Sequence, residues 1–283
     1  MSNLFLVDVS AVAHTFYKIR TIPNFSWEVD GETVYTKAMF AIFKIVNYVK
    51  SKKDKVVLCA DSRSKRKEFD STYKSNRTKA PEDFYEQVDR SLDIFKKCGF
   101  DVIKEDGMEA DDLIYSLVQQ YKGEYDHVHI ITNDNDLACN IDKNVSIITT
   151  VSSRPNITID NYESVLHTPY NTIMLQKCIM GDGSDVISGI SGYGKVSTDK
   201  VIASIANTHD LTQMCIADNV EQVLHEQFEG DALEQALHSF ALVKPEYVPN
   251  IKLSSYAKQD YASLREQAAR YGMKTVVAAI NKL

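Results

Sequence analysis

The sequence has no apolar run approaching the roughly 18 residues that a membrane span requires, and it enters a strand-like stretch at Leu4 without a basic signal region. A helical membrane protein is thereby excluded, and the expectation is a cytoplasmic chain. Paired cysteines are missing too. Cys59, Cys98, Cys139, Cys178 and Cys215 are odd in number, far apart and without the Cys-x-x-Cys spacing of zinc or redox sites, so they are expected as reduced core residues. No low-complexity tract or internal repeat is present, which excludes solenoids and arrays. Nor is there an excess of positive charge. A net charge of −7 argues against a protein that coats nucleic acid through its overall field.

What is there is ordinary globular material. The 283 residues are 44% hydrophobic and 25% charged, enough for one large or two smaller domains. Continuous apolar runs at Leu4 to Val9, Lys55 to Ala60, Asp101 to Lys104, His127 to Ile131 and Val145 to Thr149 fit strands buried on both faces of a parallel sheet. Helical spacing between them, at Thr36 to Lys50, Pro81 to Gly99 and from Ala110, makes residues 1–155 an α/β domain with a central, mostly parallel sheet flanked by helices. After Pro155 the pattern is helical: Tyr170 to Met180, Ser197 to Ala206, Leu211 to Phe228, Asp231 to Val243 and Tyr256 to Asn281. Residues 156–283 are therefore expected as a helical region packed on the sheet.

Acidic residues stand where ligands bind in such folds, beyond the carboxyl ends of strands. Asp8, Asp61, Asp134 and Asp136 each follow an apolar run. Glu109, Asp111 and Asp112 fall at a helix start, and Asp182 and Asp185 lie in a glycine-rich connection. Each has a bland explanation alone: helix-dipole complementation for the group at 109–112, Asx turns for Asp134 and Asp136, loop solvation for Asp182 and Asp185. Asp8 resists one, because a charge in a buried strand must be paired or bind metal. Acids converging on one sheet edge would repel each other without cations. Oxygen-only ligation points to Mg²⁺ or Mn²⁺ rather than zinc.

Between Arg63 and Lys79, seven bases (Arg63, Lys65, Arg66, Lys67, Lys74, Arg77 and Lys79) face only Glu68 and Asp70. This is either a solvated loop or a phosphate-binding surface. Its position directly after Asp61 favours the latter, with Lys74 and Arg77 within reach of a scissile phosphate. Gly189-Ile190-Ser191-Gly192-Tyr193-Gly194 either terminates a helix or forms a hairpin turn. In the second case Gly192 and Gly194 let backbone N–H groups approach a DNA phosphate, with Lys195 and Lys200 adding to the contact.

The stretches Leu6-Val7-Asp8, Ala60-Asp61-Ser62, Tyr73-Lys74-Ser75-Asn76-Arg77, Glu109-Ala110-Asp111-Asp112, Thr132-Asn133-Asp134-Asn135-Asp136 and Ile179-Met180-Gly181-Asp182 with Asp185 together resemble the flap endonuclease / 5′→3′ exonuclease family, above all its bacteriophage members, including the phage enzyme called RNase H. The resemblance implies a PIN-like nuclease core, a helical arch at about 62–98 and a helix-hairpin-helix-type DNA-binding element at about 186–206. It implies two metal sites, Asp8, Asp61, Glu109 and Asp111 serving the first and Asp134, Asp136, Asp182 and Asp185 the second, with Asp112 the additional acid of the phage branch. Arg66 and Lys74 match the arch's basic pair on the substrate phosphate, and Tyr73 and Arg77 accompany them toward DNA. Two Mg²⁺ ions (Mn²⁺ substituting) and a K⁺ ion at the glycine turn are the implied cofactors.

The expected substrate is DNA with a 5′ flap, 5′ overhang or nick, with an RNA:DNA hybrid as an alternative. The chain is expected as a monomer without membrane association. Replication partners such as a single-strand-binding protein or sliding clamp stay open, since no clamp-binding motif stands at Ala278 to Leu283. Six residues after Asp8, where relatives often carry an aromatic that stacks on a terminal base, stands His14. Residue Val9 replaces a common glycine, and Lys195 comes one place early. Two rival classes share part of this pattern: a PIN-type ribonuclease, and a non-catalytic DNA-junction binder.

Overall fold

The computed structural model describes residues 2–19 and 24–283. Five strands, β1 (Leu4–Asp8), β4 (Lys55–Cys59), β5 (Asp101–Ile103), β6 (Val128–Ile131) and β7 (Val145–Ile148), form one parallel sheet in the order β5-β4-β1-β6-β7. Every residue of β1 is buried, as a strand covered on both faces requires. Its side chains alternate between two cores. Phe5 and Val7 join one with α1 (Val9–Tyr17), α2 (Lys37–Phe43) and α4 (Glu82–Lys97), while Leu4 and Leu6 join another with α5 (Ala110–Tyr121). From the central strand β1 the order runs outward both ways. The crevice at this switch point is where the fold opens for a ligand.

The first strand ends one residue earlier than expected, because Asp8 is also a helix cap. Its Oδ1 accepts the Ala11 N–H at 3.0 Å and starts α1, an element the apolar run concealed. A second unforeseen element is the antiparallel hairpin of β2 (Ser26–Val29) and β3 (Glu32–Tyr35). Asp30 and Gly31 at its tip take φ of 53° and 84°, the left-handed backbone that two-residue hairpins demand.

The C-terminal half holds α6 (Tyr162–Leu166), α7 (Ile173–Met180), α8 (Lys195–Ile205), α9 (Ala217–Gln227) and α10 (Gly230–Val243), the last four around their own apolar cluster. The single helix expected from Tyr256 to Asn281 is a 3₁₀ turn followed by α11 (Tyr261–Arg270) and α12 (Lys274–Ile280). Gly272 breaks it, at φ 69°, where a Cβ would stand 2.8 Å from the Trp27 ring. The helix expected over Leu211 to Phe228 likewise begins only at Ala217, after a 3₁₀ turn at Leu211–Gln213. Leu264, Ala268, Val276 and Ile280 of α11 and α12 pack into the core of the first half. A boundary at 155 therefore marks a change of texture rather than a break in packing.

The segment expected as a helical arch, about 62–98, includes α4. Before α4 it contains only one helical turn, α3 (Arg66–Phe69), and a series of tight turns to Asn76. Its Arg66, Lys74 and Arg77 pair with carboxylates of the acidic site.

Candidate metal centre and nucleic-acid interface

Asp8 is 4% exposed and held by two donors, the Ala11 N–H and the Thr132 hydroxyl at 2.8 Å. Burial first, and then the Asp61 charge, raise its pKa to about 7. Asp61 accepts the Ala110 N–H at 2.8 Å, which ties the loop after β4 to the start of α5. Asp111, one residue on, is pushed well above the carboxylate range by burial and by the charges of Asp8 and Asp134. Asp134 accepts the Asp136 N–H at 3.0 Å in an Asx turn, so the bland reading of this pair is observed, yet both charges also bear on the site. Burial and Asp134 raise Asp136 to about 6, opposed by Lys177.

The glycine-rich connection completes the cluster. Asp182 hydrogen-bonds to the N–H and hydroxyl of Ser184 at 2.8 and 2.6 Å, and Asp136, Asp182 and Asp185 bring ligand oxygens within 4.8 Å of one another. Two glycines allow this turn. At Gly189, with φ 66°, a Cβ would stand 2.3 Å from the Gly181 nitrogen and 2.4 Å from the Met180 carbonyl carbon. Gly189→Ala should accordingly cost on the order of 3 kcal/mol in urea unfolding, since only backbone could yield. A loss below about 1 kcal/mol would show that the close approach is not needed.

Three bases of the segment after Asp61 turn inward onto these acids. Lys74 Nζ lies 2.7 Å from Glu109 Oε1 and 3.8 Å from Asp185, and Arg77 pairs with Asp185. Tyr73 donates its hydroxyl to Glu109 Oε2 at 3.0 Å. Arg63, Lys65, Lys67 and Lys79 remain exposed.

Arg66 and Asp112 face each other. Arg66 is 7% exposed and lays its fork on Asp112 at 2.7 and 3.0 Å, on Glu109 at 3.0 Å and on the Lys244 carbonyl at 2.8 Å. Asp112 also accepts the N–H groups of Glu109 and Glu246, so four donors saturate its two oxygens. The guanidinium is thus a buried fork on two carboxylates, and Asp112 is its counter-ion. His14 is likewise engaged. Its ring stacks on Phe84 at 4.1 Å between centroids, and burial lowers its pKa.

Gly194 caps α8, and neither Gly192 nor Gly194 has an atom within 4 Å of the position a Cβ would take, so the backbone before α8 is sterically open. Lys200 is exposed beside it, whereas Lys195 pairs with Asp199 at 2.5 Å.

Lys177 was not anticipated. Its ammonium bridges Asp136 and Asp182 with the side chain only 15% exposed. Standing in the last turn of α7, it reads from sequence as an ordinary complement to the helix dipole.

Against known families, residues 3–167 match the model of the 5′-3′ exonuclease N-terminal, resolvase-like domain. The chain belongs to the 5′-3′ exonuclease family. Among family relatives, DNA polymerase I of Caldicellulosiruptor bescii is 28% identical over 228 residues, covering 71% of this chain and 26% of the polymerase. The chain thus spans about a quarter of that relative's length. A 5′-3′ exonuclease of Mycoplasmopsis pulmonis is 24% identical over 82% of this chain and 76% of its own. The fold is that of the bacteriophage T5 flap endonuclease, solved as a pseudo-enzyme–product complex with DNA and metal ions: TM-score 0.62 at 19% identity, over 99% of this chain and 97% of that one.

Proposed function

We propose that the chain is a divalent-metal-dependent, structure-specific 5′ nuclease that hydrolyses a phosphodiester near the 5′ end of DNA, or of RNA in an RNA:DNA hybrid. The observation that carries this reading is the unbalanced charge at the sheet edge. Asp8, Asp111 and Asp136 are all raised by burial and by neighbouring carboxylates, Asp134 acting on all three, so the folded chain holds more carboxylates together than its own bases neutralise. The donors are carboxylate oxygens, which suits Mg²⁺, with Mn²⁺ as a substitute. Asp8, Asp61, Glu109 and Asp111 would hold one ion, and Asp134, Asp136, Asp182 and Asp185 the other. Bound there, the pair would supply activation of water and charge stabilisation for an in-line displacement at phosphorus.

The chain's own residues do the rest. Glu109 carries Arg66, Tyr73 and Lys74, so it becomes free for a cation when Lys74 lets go of Oε1. The released ammonium then stands beside the acids as a donor to the substrate phosphate, with Arg77 next to it at the surface. Tyr73, buried against Glu109, keeps the turn that carries Lys74 in place. The backbone around Gly192 and Gly194, with Lys200, offers a second contact to the DNA backbone away from the scissile bond, and its carbonyls are the place for K⁺ in this reading. His14, stacked on Phe84, keeps one ring face for a terminal base. The flap-bearing or RNA-primed substrate, monomeric action and a role in replication belong to the same proposal.

Lys74→Ala tests it. Turnover on a 5′-flap DNA should fall about 100-fold or more, the usual loss for a transition-state charge donor, while the Kd for DNA changes by less than about threefold. Turnover within threefold of the parent would remove Lys74 from the chemistry.

A further inference from the structure

Asp136, Asp182 and Asp185 offer oxygens within 4.8 Å of one another, and this is the one such group of three among the described residues. It already contains a cation. Lys177 reaches in from α7 and contacts both Asp136 and Asp182. An ammonium between two carboxylates and a divalent ion on the same two carboxylates are mutually exclusive on grounds of charge and space. The side chain has somewhere else to go. A groove of about 460 Å³ opens beside it, lined by Lys177 together with Gln176, Arg154, Asn135 and Ser184. A four-carbon stem with a compact ammonium can make that move, which a planar guanidinium would make less readily.

We infer that Lys177 is the resident cation of the second carboxylate set. It holds Asp136 and Asp182 together in the metal-free chain, and a divalent ion fills that position only by driving the ammonium out into the groove. Occupancy of the second site is thereby set by a competition built into the fold. In the first set Lys74 engages Glu109 alone, and among the described residues no lysine bridges two of its carboxylates, so that set fills at lower concentration. This inference rests on the proposed metal-dependent nuclease.

The test is Mn²⁺ binding by the full chain without DNA, followed by calorimetry and by electron paramagnetic resonance of free Mn²⁺. Lys177→Met keeps the stem and removes the charge. Its weaker site should bind Mn²⁺ at least about tenfold more tightly than the parent's, with the stronger site unchanged. Its metal-free melting temperature should fall and be restored by Mn²⁺. Lys177→Arg should leave the weaker site no tighter than in the parent. A second readout needs no variant: acylation of lysines followed by mass spectrometry should show Lys177 protected in chelator and modified once Mn²⁺ fills the weaker site. Two sites in the parent with unchanged affinity in Lys177→Met, or Lys177 labelling indifferent to Mn²⁺, overturns the inference and leaves the nuclease reading standing. Absence of Mn²⁺ binding by parent and variant alike overturns both.

Discussion

Asp8→Asn is expected to abolish cleavage and at the same time to make the metal-free protein more stable. Asparagine can keep both local contacts, accepting from the Ala11 N–H and pairing with the Thr132 hydroxyl, so the cap of α1 survives. What disappears is a buried negative charge beside Asp61. The sign follows from linkage. The Asp8 pKa is raised from 3.8 to about 7 in the fold, so between those values the folded chain holds a proton that the unfolded chain has released. Its contribution is fully present below about pH 4 and is lost as the pH rises through about 7. At pH 8 in chelator the wild type therefore carries the cost of an ionised buried carboxylate. Asp8→Asn should recover on the order of 2–4 kcal/mol of it, or roughly 5–10 °C in Tm. Calorimetric scans in chelator from pH 5 to pH 8 should show the wild-type Tm falling more steeply than that of the variant, in which Asp111 and Asp136 still titrate. With Mg²⁺ present the order should reverse, since an ion bound only by the folded wild type stabilises it by mass action. A variant less stable than the wild type at pH 8 in chelator would show that Asp8 is there for the fold rather than for a cation.

Arg66→Ala should produce the opposite result, a large loss of stability. Removal of the guanidinium leaves Asp112, 1% exposed, as an uncompensated buried charge and strips Glu109 and the Lys244 carbonyl of a donor. Breaking a buried pair in this way costs about 3–5 kcal/mol. Arg66→Lys should recover only part of it, because an ammonium cannot reproduce the fork on Asp112. Urea unfolding gives the number directly. An arginine that served only the substrate would instead show a stability within about 1 kcal/mol of the parent and a loss confined to turnover.

These two residues also show what the sequence discloses and what it hides. Asp8 is legible because strand burial and ionisation conflict within five residues, and the conflict has few solutions. The acids at 61, 134 and 136 are legible because they stand at the ends of apolar runs that the order of strands brings together, whereas those at 109, 111, 182 and 185, at a helix start and in a glycine-rich connection, join the set through the family resemblance. The α1 start was hidden by the same apolarity that revealed β1: Val9 continues the run, while the decision between strand and helix is made by a hydrogen bond from Ala11. The hairpin turn at Asp30-Gly31 carried its signal in plain view between two short strands. The carboxylate partners of Arg66, Lys74 and Lys177 were hidden for a different reason. Whether a base faces solvent, substrate or a carboxylate depends on tertiary geometry, and a basic stretch has the same composition in all three cases. Lys177 is five residues before Asp182 in sequence, but its relation to Asp136 exists only because α7 packs on the 3₁₀ turn at Asp136–Asn140.

The most direct measurement is cleavage of an end-labelled 5′-flap DNA, beside an RNA-primed duplex and a plain single-stranded RNA, in Mg²⁺ and in chelator, with product lengths read. Short products released from the 5′ end of the flap or primer, in Mg²⁺ alone, are the expected result. Cleavage confined to single-stranded RNA, or no cleavage of any of the three in Mg²⁺ or Mn²⁺, would contradict it.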